Sequence, residues 1–302
     1  MILITGAAGF IGSCLVNNLI ENNKIIGIDD LSTGHKSNII KHKNYKFIKG
    51  DCGNKSILKR IKNVDTIFHL AGQSSGEKSF ENPQLDFLKN TKSTVNILEH
   101  ANKIKCKHFI YASSMSIYGD KYKIKVNEKL KPSPISFYGI SKECSEKYIE
   151  KFREKNVNYT ILRFFNVYGS KQKLGELKQG MIRIYLTQIL KNKSLIVKGN
   201  KNRFRDFIHI NDVLKILIYM IGKKKFYNKK FNIGTGKKTK IDNLIKLIKK
   251  KIDYNFSIKY QKGTKDDQFG VVADISKLKK FININKFISI DEGLDEMINN
   301  IK

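Results

Sequence analysis

Six apolar runs, ILIT, KIIGID, YKFIKG, DTIFHLAG, HFIYASS and YTILRFF, alternate in the first half of the chain with amphipathic stretches at about 10–22, 84–103 and 136–155. Runs that short and that continuously apolar read as strands buried on both faces. Alternation of such strands with helices requires right-handed crossovers, and predicts an α/β fold built on a doubly wound parallel sheet. After Asn166 the pattern changes. Helical periodicity at about 179–191, 211–222, 239–251 and 289–300, with short strands such as LIVKG and FNIG between, predicts a smaller, mostly helical lobe over 166–302. The chain is expected to return to the sheet near 205–234, and no composition shift marks the boundary after residue 165.

The first strand runs into ITGAAGFIG, which places Gly6, Gly9 and Gly12 between that strand and the first helix. Glycines there permit a tight turn and close backbone approach, so that a pyrophosphate can rest on a helix N-terminus. This is the Rossmann arrangement, and residues 1–165 are expected to bind a dinucleotide. The second strand ends in Asp29, where a carboxylate accepts from ribose hydroxyls; Asp29 and Asp30 together would repel a 2′-phosphate and favour NAD over NADP. Asp51, ending the third strand, is placed to accept from the adenine amino group or, as strand-end aspartates often do, to shape a turn.

The strand HFIYASS ends in Ser113 and Ser114, followed by Met115 and Ser116. Hydroxyls at the end of a central strand need partners. SFYGISKECSEKY supplies them, because Tyr138 and Lys142 are four residues apart on a helical pattern and share one face. A free tyrosine ionises at about pH 10, too high for a base at neutral pH, but a neighbouring ammonium and the positive charge of NAD⁺ both favour the phenolate. A strand-end serine then hydrogen-bonds the phenol and a substrate hydroxyl. Tyr-x-x-x-Lys alone is a weak signal. Joined to the glycine turn, Asp29 and an upstream Ser, it becomes a strong one.

With TGAAGFIGS, DDLSTG, FHLAGQ, NTKST, SSMSIYG, YGISK, RFFNVYG, KGNKNRFRDFIHINDV, FNIGTG and VVADISK, the chain resembles the NAD-dependent epimerase/dehydratase family of extended short-chain dehydrogenases/reductases over nearly its whole length. Within it, the similarity is greatest to nucleotide-sugar epimerases of the UDP-glucose 4-epimerase type. The resemblance implies Tyr138 as acid/base, Lys142 as its electrostatic partner and ribose ligand, and Ser114 as substrate anchor assisted by Ser116. It implies NAD contacts from Gly6, Gly9, Phe10, Ile11, Gly12, Asp29, Asp51, Cys52, Ala71 and Asn90, besides Tyr138 and Lys142. For the substrate, a UDP-linked sugar, it implies Asn166 and Arg205 at the diphosphate. Val271 is implied beside the sugar's 2-position, where its small size leaves room for an N-acetyl group.

Two departures stand out. Family dehydratases carry an Asp-Glu pair just after the strand-end hydroxyl residue, where this chain has Met115 and Ser116, so dehydration is not expected. Thr264 replaces the arginine usual before the final AD motif, leaving Lys262 or Lys265 as the second phosphate-facing cation. The expected activity is C4 epimerisation through a 4-keto intermediate, with another C4-oxidising reductase or decarboxylase as alternative. The expected assembly is a homodimer.

Charge raises one competing class. In 302 residues, 58 Lys and Arg against 27 Asp and Glu give a formal net charge of +31. That surplus is compatible with an RNA-binding protein that has lost its catalysis. The basic residues, however, are scattered over the polar faces of helical patterns, where charge is simply solvated, and the Tyr, Lys and Ser that an idle member would lose are all kept. Neither nucleic acid nor membrane is therefore expected as a partner. Cys14, Cys52, Cys106 and Cys144 have no metal-ligand spacing and read as reduced thiols of a cytoplasmic protein, with no metal site.

Overall fold

The computed structural model describes residues 1–121, 123–170, 180–264 and 267–300. Its centre is a seven-stranded sheet: β1 (Ile2–Thr5), β2 (Ile25–Asp29), β3 (Tyr45–Lys49), β4 (Thr66–His69), β5 (His108–Ser114), β6 (Tyr159–Phe164) and β7 (Lys229–Ile233). The order across it is β3-β2-β1-β4-β5-β6-β7, and every neighbouring pair is parallel. The winding direction reverses between β1 and β4, which in such sheets opens a crevice at the carboxyl ends of the strands.

Strand periodicity sorts the side chains between two layers. Ile2, Ile4, Phe68 and Ile110 pack on one face against Cys14 and Leu15 of helix α1 (Phe10–Leu19) and against Val213 and Leu217 further along the chain. Leu3, Ile67, Phe109 and Tyr111 face the other way, onto Ile97, Leu98, Ile149 and Phe152. Because both faces are covered, the central strands are buried at nearly every position, while β3 and β7 at the sheet edges carry more polar residues.

The stretch 84–103, expected as one helix, is divided. Asn82 caps a short helix α2 (Pro83–Phe87), accepting from the Leu85 amide at 2.8 Å, with Pro83 in the first turn where its missing N–H costs nothing. A π turn over Leu88–Lys92 follows, and then α3 (Ser93–Lys103). The turn's buried residues, Asn90 and Thr91, are polar, so hydrophobic periodicity carries no signal for it.

Helix α4 (Phe137–Phe152) starts at Ser136, whose hydroxyl accepts from the Gly139 amide at 3.1 Å. Its Glu146 is bound to Arg163 of β6 at 2.7 Å, both side chains almost wholly buried, and the same carboxylate accepts from Ser113 at 2.5 Å. Removing one partner of such a pair costs about 3–5 kcal/mol, so this network pins α4 to the sheet.

Beyond β6 lies a third apolar cluster. Tyr185, Leu186 and Ile189 of α5 (Met181–Asn192) meet Leu244, Ile245 and Ile248 of α7 (Ile241–Lys251) and Leu294 and Met297 of α8 (Ile290–Asn299), while α6 (Ile210–Met220) returns to the main sheet. Among the described residues no helix is long and apolar enough to cross a membrane.

Candidate active site

A cleft of about 690 Å³ lies at the carboxyl ends of the strands, with the Gly6–Gly12 turn, Asp29, Asp51, Ala71, Ser114, Tyr138 and Asn166 in its wall. The turn is closed to any larger residue. Gly6 has φ +70°, a left-handed value, and a Cβ on Gly12 would run into the Gly6 carbonyl oxygen. Gly9 caps α1 with no side chain of its own, so the helix N-terminus presents backbone to the cleft. Phe10 and Ile11 line it as well.

Asp29 ends β2 with its carboxylate held by the Ala8 amide at 2.9 Å and the Leu31 amide at 2.8 Å; burial pushes its pKa up against those bonds. Asp51 accepts from the Gly53 amide at 2.7 Å, and Cys52 beside it is a buried thiol raised to about 12 by desolvation, hence protonated and inert. Below the turn, fully buried His69 bridges Thr5 at 2.8 Å and Thr94 at 3.0 Å, kept neutral by desolvation that lowers it to about 3. Asn90 is buried under Gly72, its amide nitrogen on Asp86 at 3.0 Å and its Oδ1 without a hydrogen-bond partner. A glycine-only turn on a helix N-terminus and a buried strand-end carboxylate in the cleft wall fit a dinucleotide; Asn90 lies behind the wall, under Gly72, and does not line the cleft.

Ser114, Tyr138 and Lys142, the groups expected to react, lie in the same wall. Ser114, the last residue of β5, accepts from the Ser116 amide at 3.1 Å and donates to Ser116 Oγ at 3.1 Å. Ser113 points the opposite way into the Glu146 network, so the two adjacent serines serve different ends. Lys142 donates to the Ala112 carbonyl at 2.9 Å and lies 5.8 Å from the Tyr138 ring centroid. Gly139 allows the start of α4 to close on the 115–118 turn, because a Cβ there would meet the Ser116 carbonyl at 2.7 Å.

Burial pushes the Tyr138 phenol up to about 12, with the hydrogen bond to Ser114 pulling the other way. The ammonium alone does not offset desolvation at this distance, contrary to the simplest expectation from the Tyr-Lys spacing. Lys142 is itself lowered to about 8 by burial, against the attraction of Asp86 and Glu146. The native state therefore disfavours the charged amine below pH 8, and the penalty fades as pH rises from about 8 to about 10.5, where the unfolded chain also loses the proton. Lys142→Met is expected to raise the unfolding temperature at pH 7, with the gap over wild type narrowing across that window in a scanning fluorimetry series. The stabilisation at pH 7 is at most about 3 kcal/mol. A variant less stable than wild type at pH 7 would contradict the assignment.

Not every expected residue reaches the cleft. Arg205 is buried away from the wall, donating to the carbonyls of Phe204 and Gln268 at 2.8 Å each and to Asp267 at 3.2 Å. Val271 is wholly enclosed in the main core and does not line the cleft either, which removes the geometric basis for assigning it the sugar's 2-position. Lys262 is exposed and absent from the wall, and Lys265 lies outside the described residues. Conversely, Lys89, Phe165, Tyr168 and Arg183 line the cleft although sequence reasoning passed over them. For Arg183 the available signal was a basic residue in the first turn of an otherwise apolar helix.

Residues 2–234 match the NAD dependent epimerase/dehydratase family. A Methanocaldococcus jannaschii chain provisionally named a UDP-glucose 4-epimerase is 37% identical, covering 100% of this chain and 98% of its own length. The UDP-glucose 4-epimerase of Thermotoga maritima, solved with UDP-glucose, is 32% identical with a TM-score of 0.93, covering 99% of this chain and 98% of that one. The UDP-N-acetylglucosamine 4-epimerase of Methanobrevibacter ruminantium, solved with UDP-N-acetylmuramic acid, is 29% identical with the same TM-score of 0.93, covering 99% and 97%.

Proposed function

The chain belongs to the NAD-dependent epimerase/dehydratase family, and from that premise we propose that it is a cytoplasmic nucleotide-sugar 4-epimerase acting on UDP-hexoses, including N-acetylated ones. The observation that carries the proposal is the convergence of Ser114, Tyr138 and Lys142 on one cleft with the glycine turn and Asp29. Bound NAD supplies a reversible hydride acceptor and a positive charge. Tyr138 takes the proton of the sugar's C4 hydroxyl, Ser114 hydrogen-bonds that hydroxyl and the phenol, and Lys142 stabilises the phenolate. The resulting 4-keto sugar presents its other face, and Tyr138 returns the proton. Met115 and Ser116, in the wall where a dehydratase needs a carboxyl pair, offer no group for eliminating water. The N-acetyl part rests on the likeness to the UDP-N-acetylglucosamine epimerase.

The diphosphate needs a cation that faces the cleft. Arg183, a buried residue of the first turn of α5 that lines the cleft, meets that need better than Arg205. Arg183→Ala is expected to raise KM for a UDP-sugar about tenfold or more with little change in kcat, since a charge-assisted phosphate contact persists from ground to transition state. An unchanged KM would remove Arg183 from the substrate site.

Phe137, Ile140 and Tyr148 form an exposed apolar row on α4, next to exposed Leu85, Phe87 and Leu88. We assign this face to a homodimer; a one-chain mass by light scattering would discard that part. The activity is tested by incubating the purified protein with UDP-glucose, UDP-galactose and their N-acetyl counterparts and separating the C4 epimers. Interconversion without added cofactor, with NAD released on denaturation, is the expected result. Carbon dioxide release from a UDP-uronate without epimer exchange would favour the decarboxylase alternative.

A further inference from the structure

Lys89 stands where the cleft meets the ends of β2 and β3. Its Nζ lies 2.8 Å from Asp30 Oδ2 and 2.6 Å from Asp51 Oδ2. The remaining oxygen of each carboxylate is already held locally. Asp30 Oδ1 accepts from the amide and hydroxyl of Ser32 at 2.9 and 2.6 Å, and Asp51 Oδ1 from the Gly53 amide at 2.7 Å. Each aspartate is thus fixed at both oxygens, once by its own loop and once by an ammonium that arrives from the π turn.

Charge makes the same point. Asp29, Asp30, Asp51 and Lys89 all line this end of the cleft. Without the lysine, three carboxylates would stand unbalanced at one end of the cleft. Burial opposes the charge on Lys89, yet its two partners overcome that and hold it firmly protonated, while the same contacts lower Asp30. All three groups are a quarter to a half exposed, so the pairs are too screened to matter greatly for the fold. Two rigid carboxylates beside a nucleotide cleft matter for what the cleft accepts. An ionised carboxylate is acceptor-only, and it distinguishes an adenine amino group from a carbonyl oxygen at the same ring position only if it is held in place.

We propose that Lys89 is a cofactor-positioning residue: by gripping Asp30 and Asp51 together it aims the Asp51 carboxylate at the adenine amino group and makes the site selective for that base. This rests on the cleft holding NAD. The test uses the full-length chain freed of endogenous nucleotide, titrated calorimetrically with NAD⁺ and with nicotinamide hypoxanthine dinucleotide, which carries a carbonyl oxygen in place of the amino group. Wild type should prefer NAD⁺ by about tenfold or more, the size of one lost hydrogen bond set against a repulsive contact. Lys89→Met should weaken NAD⁺ about tenfold, as expected for a partly exposed charge-assisted contact, and bring the ratio between the two dinucleotides close to one. Lys89→Arg should recover part of the ratio. If Lys89→Met keeps the wild-type ratio, or weakens both dinucleotides equally, the positioning role is overturned. Wild type that binds neither would instead defeat the NAD assignment, and this inference with it.

Discussion

Tyr138→Phe is expected to lower kcat about a thousandfold while leaving NAD affinity and unfolding temperature close to wild type. Only one oxygen is removed. The ring stays packed in a nearly closed position at the start of α4, and the Ser114–Ser116 bonds do not depend on it. Among the described residues, the groups next to the phenol are not suited to replace it. Ser114 and Ser116 lack a suitable pKa, and Lys142 is already committed to the Ala112 carbonyl. Loss of a general base without loss of binding lowers kcat and kcat/KM together. Steady-state kinetics on one UDP-sugar, beside thermal melts, decides the matter; a variant within tenfold of wild type would show that the proton leaves by another route.

Gly12→Ala should be a damaging single-methyl change for the cofactor site. The added Cβ would collide with the Gly6 carbonyl, which is backbone and cannot swing aside as a side chain would. Either α1 moves off the sheet or the turn opens, and each breaks the surface on which a pyrophosphate would rest. Overpacking of this kind costs about 1–3 kcal/mol in stability. The larger consequence falls on the cofactor: the variant should purify with far less NAD than wild type and bind added NAD⁺ at least about tenfold more weakly, the equivalent of losing one charge-assisted contact. Stoichiometric NAD in the purified variant would mean that the turn does not hold the pyrophosphate.

The sheet was legible because its central strands are buried on both faces, so that ILIT, HFIYASS and YTILRFF carry runs of apolar residues and are buried at nearly every position. Ser114, Tyr138 and Lys142 were legible for a different reason. A strand-end hydroxyl and an i, i+4 pair on a helix are local features, and local geometry fixes where they point. Arg205 and Val271 show where this fails. A motif gives a position along the chain, but the direction of the Arg205 guanidinium is decided by Asp267 and two carbonyls, distant in sequence and invisible in the motif. Val271 sits between the buried Phe204–Gly270 bridge and strand residue Val272, and that pairing turns it into the core. Lys89 was missed because a helix was expected to run unbroken through it.

The π turn at Leu88–Lys92 has a bearing on how such a chain can vary. A π turn is a helix with one residue inserted, and a single residue corresponds to about 100° of rotation around the helix axis. Deleting one position within this turn would restore an ordinary α-helix and swing everything upstream by that angle. Phe87 and Leu88, now turned outward, and Leu85 and Lys89, now at the cleft, would no longer share one frame with Asn90 and α3. One insertion thus sets the rotation of α2 and Lys89 separately from that of Asn90 and α3, so that either side of the turn can change without dragging the other around the axis.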